Sequence, residues 1–346
     1  MRAGQTLAGT ESTLLESPIV WIGFNLFIVG LLVLDLLILN RRDHVVGMRE
    51  AGILTVFWTL VAAGVAVWIY VWGTTEQGTN YVTAYIVERA LSVDNLFVFL
   101  VIFGFFRLPV AYQSRGLLFG IIGALLARAV FIGLGTAAIQ AFAWVLIPLG
   151  VFLVYTAYKL AFVSDHDVDP NKNIAVRVFR RFMPVSDEYD GHKFFTRING
   201  IRAATPFLLV VVALGTTDVV FAVDSIPTVF GITDDPFIVW SSNAMAVLGM
   251  RPLFFLLAGM VDLFRYLQYG LAVILGFIGL KMIVEEGTEL TGWWHMPEVL
   301  HNPLLSLAVI LGVLGGSVLL SKLIPEKKSG DGPAAPSHAA ADSSHH

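Results

Sequence analysis

Residues 206–230 read PFLLVVVALGTTDVVFAVDSIPTVF, and only two of these 25 residues, Asp218 and Asp224, are charged. About 20 apolar residues suffice to cross the hydrocarbon core of a bilayer, so this stretch predicts a transmembrane helix. The rest of the chain is similar, because 56% of its 346 residues are hydrophobic and 14% are charged. Soluble domains have about 25% charged residues. The composition excludes a soluble globular fold and predicts an all-α, polytopic membrane protein.

Eight further apolar stretches have room to span a bilayer, which makes nine predicted transmembrane helices. The other eight lie at about 19–40, 51–72, 81–106, 116–138, 141–163, 238–260, 266–284 and 303–324. We therefore expect one transmembrane domain over residues 19–324, with residues 1–18 and 325–346 as tails.

The distribution of basic residues predicts the orientation of the chain in the membrane. Lys and Arg gather in alternate connections, with seven in the 164–205 loop, whereas the connections on the other side, such as 285–302, hold none. The positive-inside rule then predicts an extracytoplasmic N-terminal tail and a cytoplasmic C-terminus, in what we expect to be a bacterial inner membrane. The 164–205 loop is predicted to be cytoplasmic, with an amphipathic interfacial helix at about 176–183. Residues 325–346, rich in Ala, Ser, Pro and His, predict a disordered cytoplasmic tail.

The composition also limits the chemistry. The chain has no cysteine, which excludes thiolate metal sites, Cys nucleophiles and disulfides. Its net charge of −4 provides no basic field for nucleic acid, so the bilayer and small ions are the expected partners, with other membrane proteins possible. A bound metal would be held by oxygen or imidazole ligands, and we expect no tightly bound cofactor.

An internal repeat carries charges into the membrane. Residues 88–96, ERALSVDNL, match residues 218–226, DVVFAVDSI, at a constant offset of 130, and both contain an acid, five residues, an acid and a small polar residue. Arg128 and Arg251 follow in corresponding spans. The chain is thus predicted to contain two three-helix units, at about 80–163 and 206–286. Because each unit has three spans, the second unit enters the membrane from the side opposite to the first. The inverted repeats of secondary transporters have this arrangement.

The repeated acids are the candidate metal ligands. Four membrane carboxylates, Glu88, Asp94, Asp218 and Asp224, together cost on the order of 10 kcal/mol to insert. In antiparallel helices Glu88 is expected level with Asp224, and Asp94 level with Asp218. Paired carboxylates repel one another unless a cation lies between them, so the pattern predicts a divalent cation at the interface of the units.

Residues i and i+6 of a regular helix point about 120° apart, so both acids of one helix can face one site only after local unwinding. Pro227 is a candidate cause of such unwinding, and it leaves the Val223 carbonyl without its helical donor. We expect Asp94 and Asp224 to be the primary ligands. Asn95 and Ser225, which follow them, are candidate additional ligands.

Other roles for these residues stay open. Glu88 and Asp218 could be accessory ligands, proton acceptors or partners of Arg128 and Arg251, and the acids could simply pair with arginines to hold helices together. Asp35 could belong to the site or make a structural hydrogen bond. The small polar residues at 241–243 could supply oxygen ligands or pack between helices.

Three motifs resemble the signature stretches of the TerC family: residues 88–97 (ERALSVDNLF), 221–227 (FAVDSIP) and 194–199 (FFTRIN). The resemblance extends over about residues 19–324. The family is named for tellurium resistance, and its Alx-like members are manganese exporters, which implies Mn²⁺ efflux. It also implies that the family's membrane acids correspond to Glu88, Asp94, Asp218 and Asp224, with Asp35 in the first span. This chain departs from the family in having Gly215 where another Glu is common, and Pro252 after the seventh-span Arg.

Oxygen ligands alone do not separate Mn²⁺ from Ca²⁺ or Mg²⁺. Coupling to protons is expected, because carboxylates that release a cation tend to reprotonate. We do not expect an enzyme: an intramembrane aspartyl protease is the nearest enzyme class, but Gly215-Thr216-Thr217-Asp218 lacks the second glycine of its motif. The main alternative is a non-transporting scaffold or assembly factor of a tellurium-resistance type complex.

Overall fold

A computed structural model gives the architecture. It describes residues 15, 17–39, 47–162, 176, 183–186, 188–198, 200–259, 266–291 and 302–323. Within them lie ten α-helices and one two-stranded sheet. In chain order these are α1 (Pro18–Leu39), α2 (Met48–Trp72), α3 (Thr75–Phe105), α4 (Val110–Ala141), α5 (Leu146–Phe162), β1 (Phe195–Ile198), β2 (Ile201–Ala204), α6 (Pro206–Phe230), α7 (Pro236–Leu248), α8 (Met250–Ala258), α9 (Leu267–Thr291) and α10 (Pro303–Leu323).

The protein is a helical membrane protein. Six of the described helices, α1, α2, α4, α6, α9 and α10, are long and apolar enough to cross a bilayer, and α7 with α8 makes a seventh if the pair is one span. The other two predicted spans also fall on helices. However, α5 has 17 residues, and the 31-residue α3 carries four charged residues, Glu76, Glu88, Arg89 and Asp94. Nine spans therefore remain a prediction.

One predicted span is broken. The sequence predicts a single helix over 238–260, whereas α7 and α8 meet at Gly249 with a bend of 44°. Pro252 is the physical reason, because its ring clashes with the carbonyl four residues earlier, at Leu248, and it has no N–H to donate.

The unwinding expected at Pro227 is not found, and this correction has a simple cause. Helix α6 continues through Pro227 to Phe230, and α3 is also continuous. Because Pro227 lies in the last turn of α6, it costs that helix one hydrogen bond and has little helix after it to displace.

The helices pack in pairs around the centre. The most extensive packing joins α5 to α9, α4 to α6, and α3 to α7. At the α5–α9 contact the backbones approach closely, since a Cβ at Gly150 would lie 2.9 Å from the Gly279 carbonyl oxygen and a Cβ at Gly279 would lie 2.8 Å from that of Gly150.

The 164–205 loop contains a hairpin that the sequence reading did not predict. Strands β1 and β2 are antiparallel with Phe195 opposite Ala204, and Gly200 adopts a φ of 81° in the turn between them. Thr205 then caps α6 by accepting from the Leu208 N–H. The predicted amphipathic helix at 176–183 lies mostly outside the described residues, as does most of 1–18, and the 325–346 tail lies wholly outside them.

Candidate functional site

Four helices meet at a buried polar cluster, which we call the central cluster: Glu88 of α3, Arg128 of α4, Asp218 of α6 and Asn243 of α7. Each side chain is at most 1% exposed. Arg128 Nη1 donates to Glu88 Oε1 and to Asn243 Oδ1, and Arg128 Nε donates to Asp218 Oδ2 at 3.5 Å. Asn243 Nδ2 completes the cluster by donating to Glu88 Oε2 at 3.4 Å. With both acids ionised, two carboxylates face one guanidinium.

The register of α4 and α6 explains how Arg128 reaches Asp218. Close contacts join Gly120 to Leu214 and Gly135 to Phe230, so residue n of α4 lies level with about residue n+94 or n+95 of α6. Arg128 is therefore level with residues 222–223. Helical side chains lean toward the N-terminus, which carries Arg128 back about one turn to Asp218. The backbone of Asp224 lies one or two residues beyond residues 222–223, on the C-terminal side, whereas Asp218 lies on their N-terminal side.

Polar atoms without partners lie in the same helices. Asp218 Oδ1, Arg128 Nη2 and the hydroxyls of Ser92 and Ser225 are buried and make no hydrogen bond within the described part of the chain. Buried polar groups normally find a partner, and leaving one unsatisfied costs about 1–3 kcal/mol. Their presence on α3, α4 and α6 indicates a region able to hold water or an ion.

A second buried ion pair joins α1, α4 and α8. Arg251 Nη1 donates to Asp35 Oδ2 at 2.7 Å, while Arg251 Nε at 3.0 Å and Nη2 both donate to Ser114 Oγ. Asp35 is 6% exposed and Arg251 is 1% exposed. Along α4, Ser114 is 14 residues, about 21 Å, from Arg128. Arg128 and Arg251 therefore hold separate clusters.

A third arginine lies at the break between α7 and α8. Arg89 Nη1 donates to the Ala246 carbonyl at 2.9 Å, one of the last carbonyls of α7. A Cβ at Gly249 would overlap the Arg89 guanidinium, so a larger residue there requires that side chain to move. A cation at a helix C-terminus is favourable, because the free carbonyls carry partial negative charge.

The predicted ligands are only partly described. Asp94 and Asp224 lie in α3 and α6, but their side chains are outside the described part of the structure, so their role as ligands stays a prediction. Asn95 is 5% exposed and Ser225 is 1% exposed. No group of three acids or histidines able to hold a metal occurs among the described residues.

The structure also assigns partners that the sequence left open. Glu88 and Asp218 both contact Arg128, in agreement with the alternative of arginine partners, and Asp35 contacts Arg251. Asn243, which was open between ligand and packing roles, bonds to Arg128 and Glu88. Arg89 was a possible partner of the membrane acids, and it bonds instead to a backbone carbonyl of α7. Ser114 was not singled out, because a serine near a helix end is too common a signal to predict its contact with Arg251.

Two loop residues outside the membrane have shifted pKa values. Hydrogen bonds from Lys193 Nζ and Thr196 Oγ1 to its carboxylate lower the pKa of Asp190. Burial raises the pKa of Tyr189 to about 12, and its hydroxyl donates to the Phe106 carbonyl at 2.7 Å. The hydrogen bond of Tyr189 ties the loop before the hairpin to the end of α3.

Comparison with known proteins places the chain in a family. The sequence model of the integral membrane protein TerC family matches residues 73–329, which include both acid repeats and all four residues of the central cluster. The chain belongs to the TerC family. The resemblance inferred from the three motifs is thereby confirmed.

Relatives of this TerC protein cover most of its length. It is 41% identical over 307 residues to the uncharacterized membrane protein STKORF319 of Myxococcus xanthus, covering 88% of this chain and 92% of that protein. It is 37% identical over 317 residues to the Escherichia coli K12 protein described as membrane-bound redox modulator Alx, covering 89% and 94%. The thylakoid membrane protein TERC of Arabidopsis thaliana is 46% identical over 209 residues, covering 60% and 54%. No solved structure matches the chain.

Proposed function

We propose that this TerC protein is a secondary transporter that exports a divalent cation, with Mn²⁺ favoured and Ca²⁺ and Mg²⁺ as the other candidates. The observation that carries the proposal is the central cluster, in which Glu88, Arg128, Asp218 and Asn243 from four helices meet while fully buried. Apolar residues of similar volume often stabilise a fold as well as a buried ion pair does. A cluster of charged side chains buried between the helices of a membrane protein therefore favours a transport role.

Helix packing supports the inverted repeat. If α3, α4 and α5 form one unit and α6, α7–α8 and α9 form the other, exchanging the units converts the α3–α7 contact into the α6–α4 contact and maps the α5–α9 contact onto itself. These are the three most extensive contacts between described helices. The reciprocal approach of Gly150 and Gly279 follows the same exchange. A twofold-related pair of units is the arrangement that alternating access needs.

The donor atoms favour a hard cation. In this proposal Asp94 and Asp224 bind the ion, with Asn95, Ser225, Glu88 and Asp218 contributing further oxygen atoms. The unpartnered Asp218 Oδ1 and Ser225 Oγ are suited to this task. Carboxylate, amide and hydroxyl oxygens suit Mn²⁺, Mg²⁺ and Ca²⁺. Release of the ion would leave carboxylates that tend to take up protons, so we propose proton coupling.

The test is Mn²⁺ flux into liposomes that contain a metal-quenched dye, with purified protein reconstituted in the membrane. We expect wild-type flux, and loss of flux in the double variant Asp94→Asn, Asp224→Asn. The matched control is Glu76→Gln, Asp234→Asn, which removes two exposed carboxylates near helix ends and should transport normally. An imposed pH gradient should change the wild-type rate.

A folded wild-type protein that gives no flux under pH gradients of either sign would contradict transport. The scaffold alternative would then lead, and neutralising Asp94 and Asp224 should spare its function. Equal flux in the wild type and the double variant would retain transport but reject the carboxylate site.

A further inference from the structure

The central cluster contains its own cation, and this suggests how the proposed site is regulated. We propose that Arg128 is a built-in counter-cation that competes with the metal for Glu88 and Asp218, and so sets the affinity of the site and its ability to release the ion. The inference rests on the proposed transport function. It adds a mechanism for emptying the site to that function.

The contacts of Arg128 are suited to exchange. Its bond to Asp218 is 3.5 Å long, its Nη2 atom has no partner in the described part of the chain, and Asp218 Oδ1 is also unpartnered. A tightly bound arginine and carboxylate usually make two short parallel hydrogen bonds. Arg251 is held more fully, by Asp35 at 2.7 Å and by two bonds to Ser114. Of Arg128 and Arg251, only Arg128 thus has a terminal nitrogen, Nη2, that makes no hydrogen bond in the described part of the chain.

Electrostatics makes Arg128 and a metal alternatives at the two acids. A dication within about 7 Å of a guanidinium is repelled strongly enough, at an effective dielectric constant of about 20, to change the affinity more than tenfold. Without metal, Arg128 compensates Glu88 and Asp218, so the empty protein does not bury unpaired carboxylates. When metal binds these acids, the guanidinium has to move away from them.

Asn243 supplies the place to which Arg128 can retreat. Its Oδ1 accepts from Arg128 Nη1, while its Nδ2 donates to Glu88, so one amide contacts both the arginine and one of the acids for which it competes with the metal. An arginine that leaves the acids keeps a neutral acceptor on α7 and is not left without a partner. Asn243 is therefore a positioning residue that acts through Arg128.

The experiment compares Mn²⁺ binding by titration calorimetry with Mn²⁺ flux, at alkaline pH where free carboxylates are ionised. Arg128→Gln should bind Mn²⁺ at least about tenfold more tightly, while both KM and the maximum flux fall because release is slowed. Arg128→Lys, which keeps the charge, should restore most of the wild-type affinity and rate. Arg49→Gln removes an exposed arginine charge and should leave both unchanged.

Asn243→Leu protects the test against misfolding of the Arg128 variants. It removes the neutral acceptor to which Arg128 retreats, so the guanidinium should stay on the acids and Mn²⁺ binding should weaken severalfold. A folded Arg128→Gln with wild-type or weaker affinity overturns the inference while transport stands. If no Arg128 variant folds, unchanged affinity in Asn243→Leu overturns it. Wild-type protein that neither binds nor moves Mn²⁺ overturns the proposed function and this inference together.

Discussion

Arginine side chains organise the polar interior of this TerC protein. Arg128 and Arg251 are buried, Arg89 is partly buried, and each bonds to a different helix from its own. A guanidinium has five donors in a fixed plane and stays charged in the protein interior, so it can hold several oxygen atoms at once where an ammonium would act as a point charge. This lets one arginine contact buried oxygen atoms from more than one helix.

Breaking the buried Asp35–Arg251 pair should be strongly destabilising. Because both side chains are buried, Asp35→Asn should lower the free energy of unfolding by about 3–5 kcal/mol, as it leaves Arg251 with an uncompensated charge. The double variant Asp35→Leu, Arg251→Met should recover much of the loss, since no charge is left buried. Thermal unfolding in detergent, followed by tryptophan fluorescence, measures both.

The exposed pair of Asp190 and Lys193 is the control for that comparison. Their side chains are 41% and 66% exposed, so Lys193→Met should leave the melting temperature nearly unchanged. If the double variant Asp35→Leu, Arg251→Met were less stable than the single variant Asp35→Asn, packing and not charge would dominate at Arg251.

At the level of secondary-structure elements, Pro227 and Pro252 have opposite effects for a positional reason. Pro252 follows the last residue of α7 by four positions and coincides with the break, whereas Pro227 lies in the last turn of α6, which continues past it. The sequence predicted the unwinding at Pro227 because this proline leaves the carbonyl of Val223, next to Asp224, without its helical donor. Proximity to an acid does not decide where a helix breaks. The decisive factors are the length of helix after the proline and the availability of other donors, such as Arg89, for the freed carbonyls.

Gly249→Ala tests the role of Arg89 at this break. The added Cβ would overlap the guanidinium that bonds to the Ala246 carbonyl, and relieving the overlap should lower the free energy of unfolding by about 1–3 kcal/mol. Gly104→Ala in α3 is the control, because its Cβ meets no atom within 4 Å, and it should be neutral or stabilising by up to about 1 kcal/mol. Equal melting temperatures for the two variants would argue that Arg89 moves freely.

At the scale of the whole molecule, orientation is the property most open to direct measurement. The chain contains no cysteine, so single cysteines can be introduced without background. Glu76→Cys, at the start of α3, should react with a membrane-impermeant maleimide added to intact cells. Glu188→Cys, in the loop before the hairpin, should react only after permeabilisation. The reverse pattern would invert the topology predicted from the distribution of Lys and Arg.

Membrane class, family and the positions of the repeated acids follow from the chain alone, because hydropathy and motif spacing are local properties. The expectation that buried acids pair with arginines also follows from the chain alone. Which arginine each acid contacts does not. Asp35 meets Arg251 across 216 positions, and Glu88 shares Arg128 with Asp218 and Asn243, because helix register and packing bring them together. The break at Gly249 and the contact of Arg89 with α7 likewise depend on neighbouring helices. Spacing along one helix carries no information about the helix that packs against it, and this is the physical reason for the division.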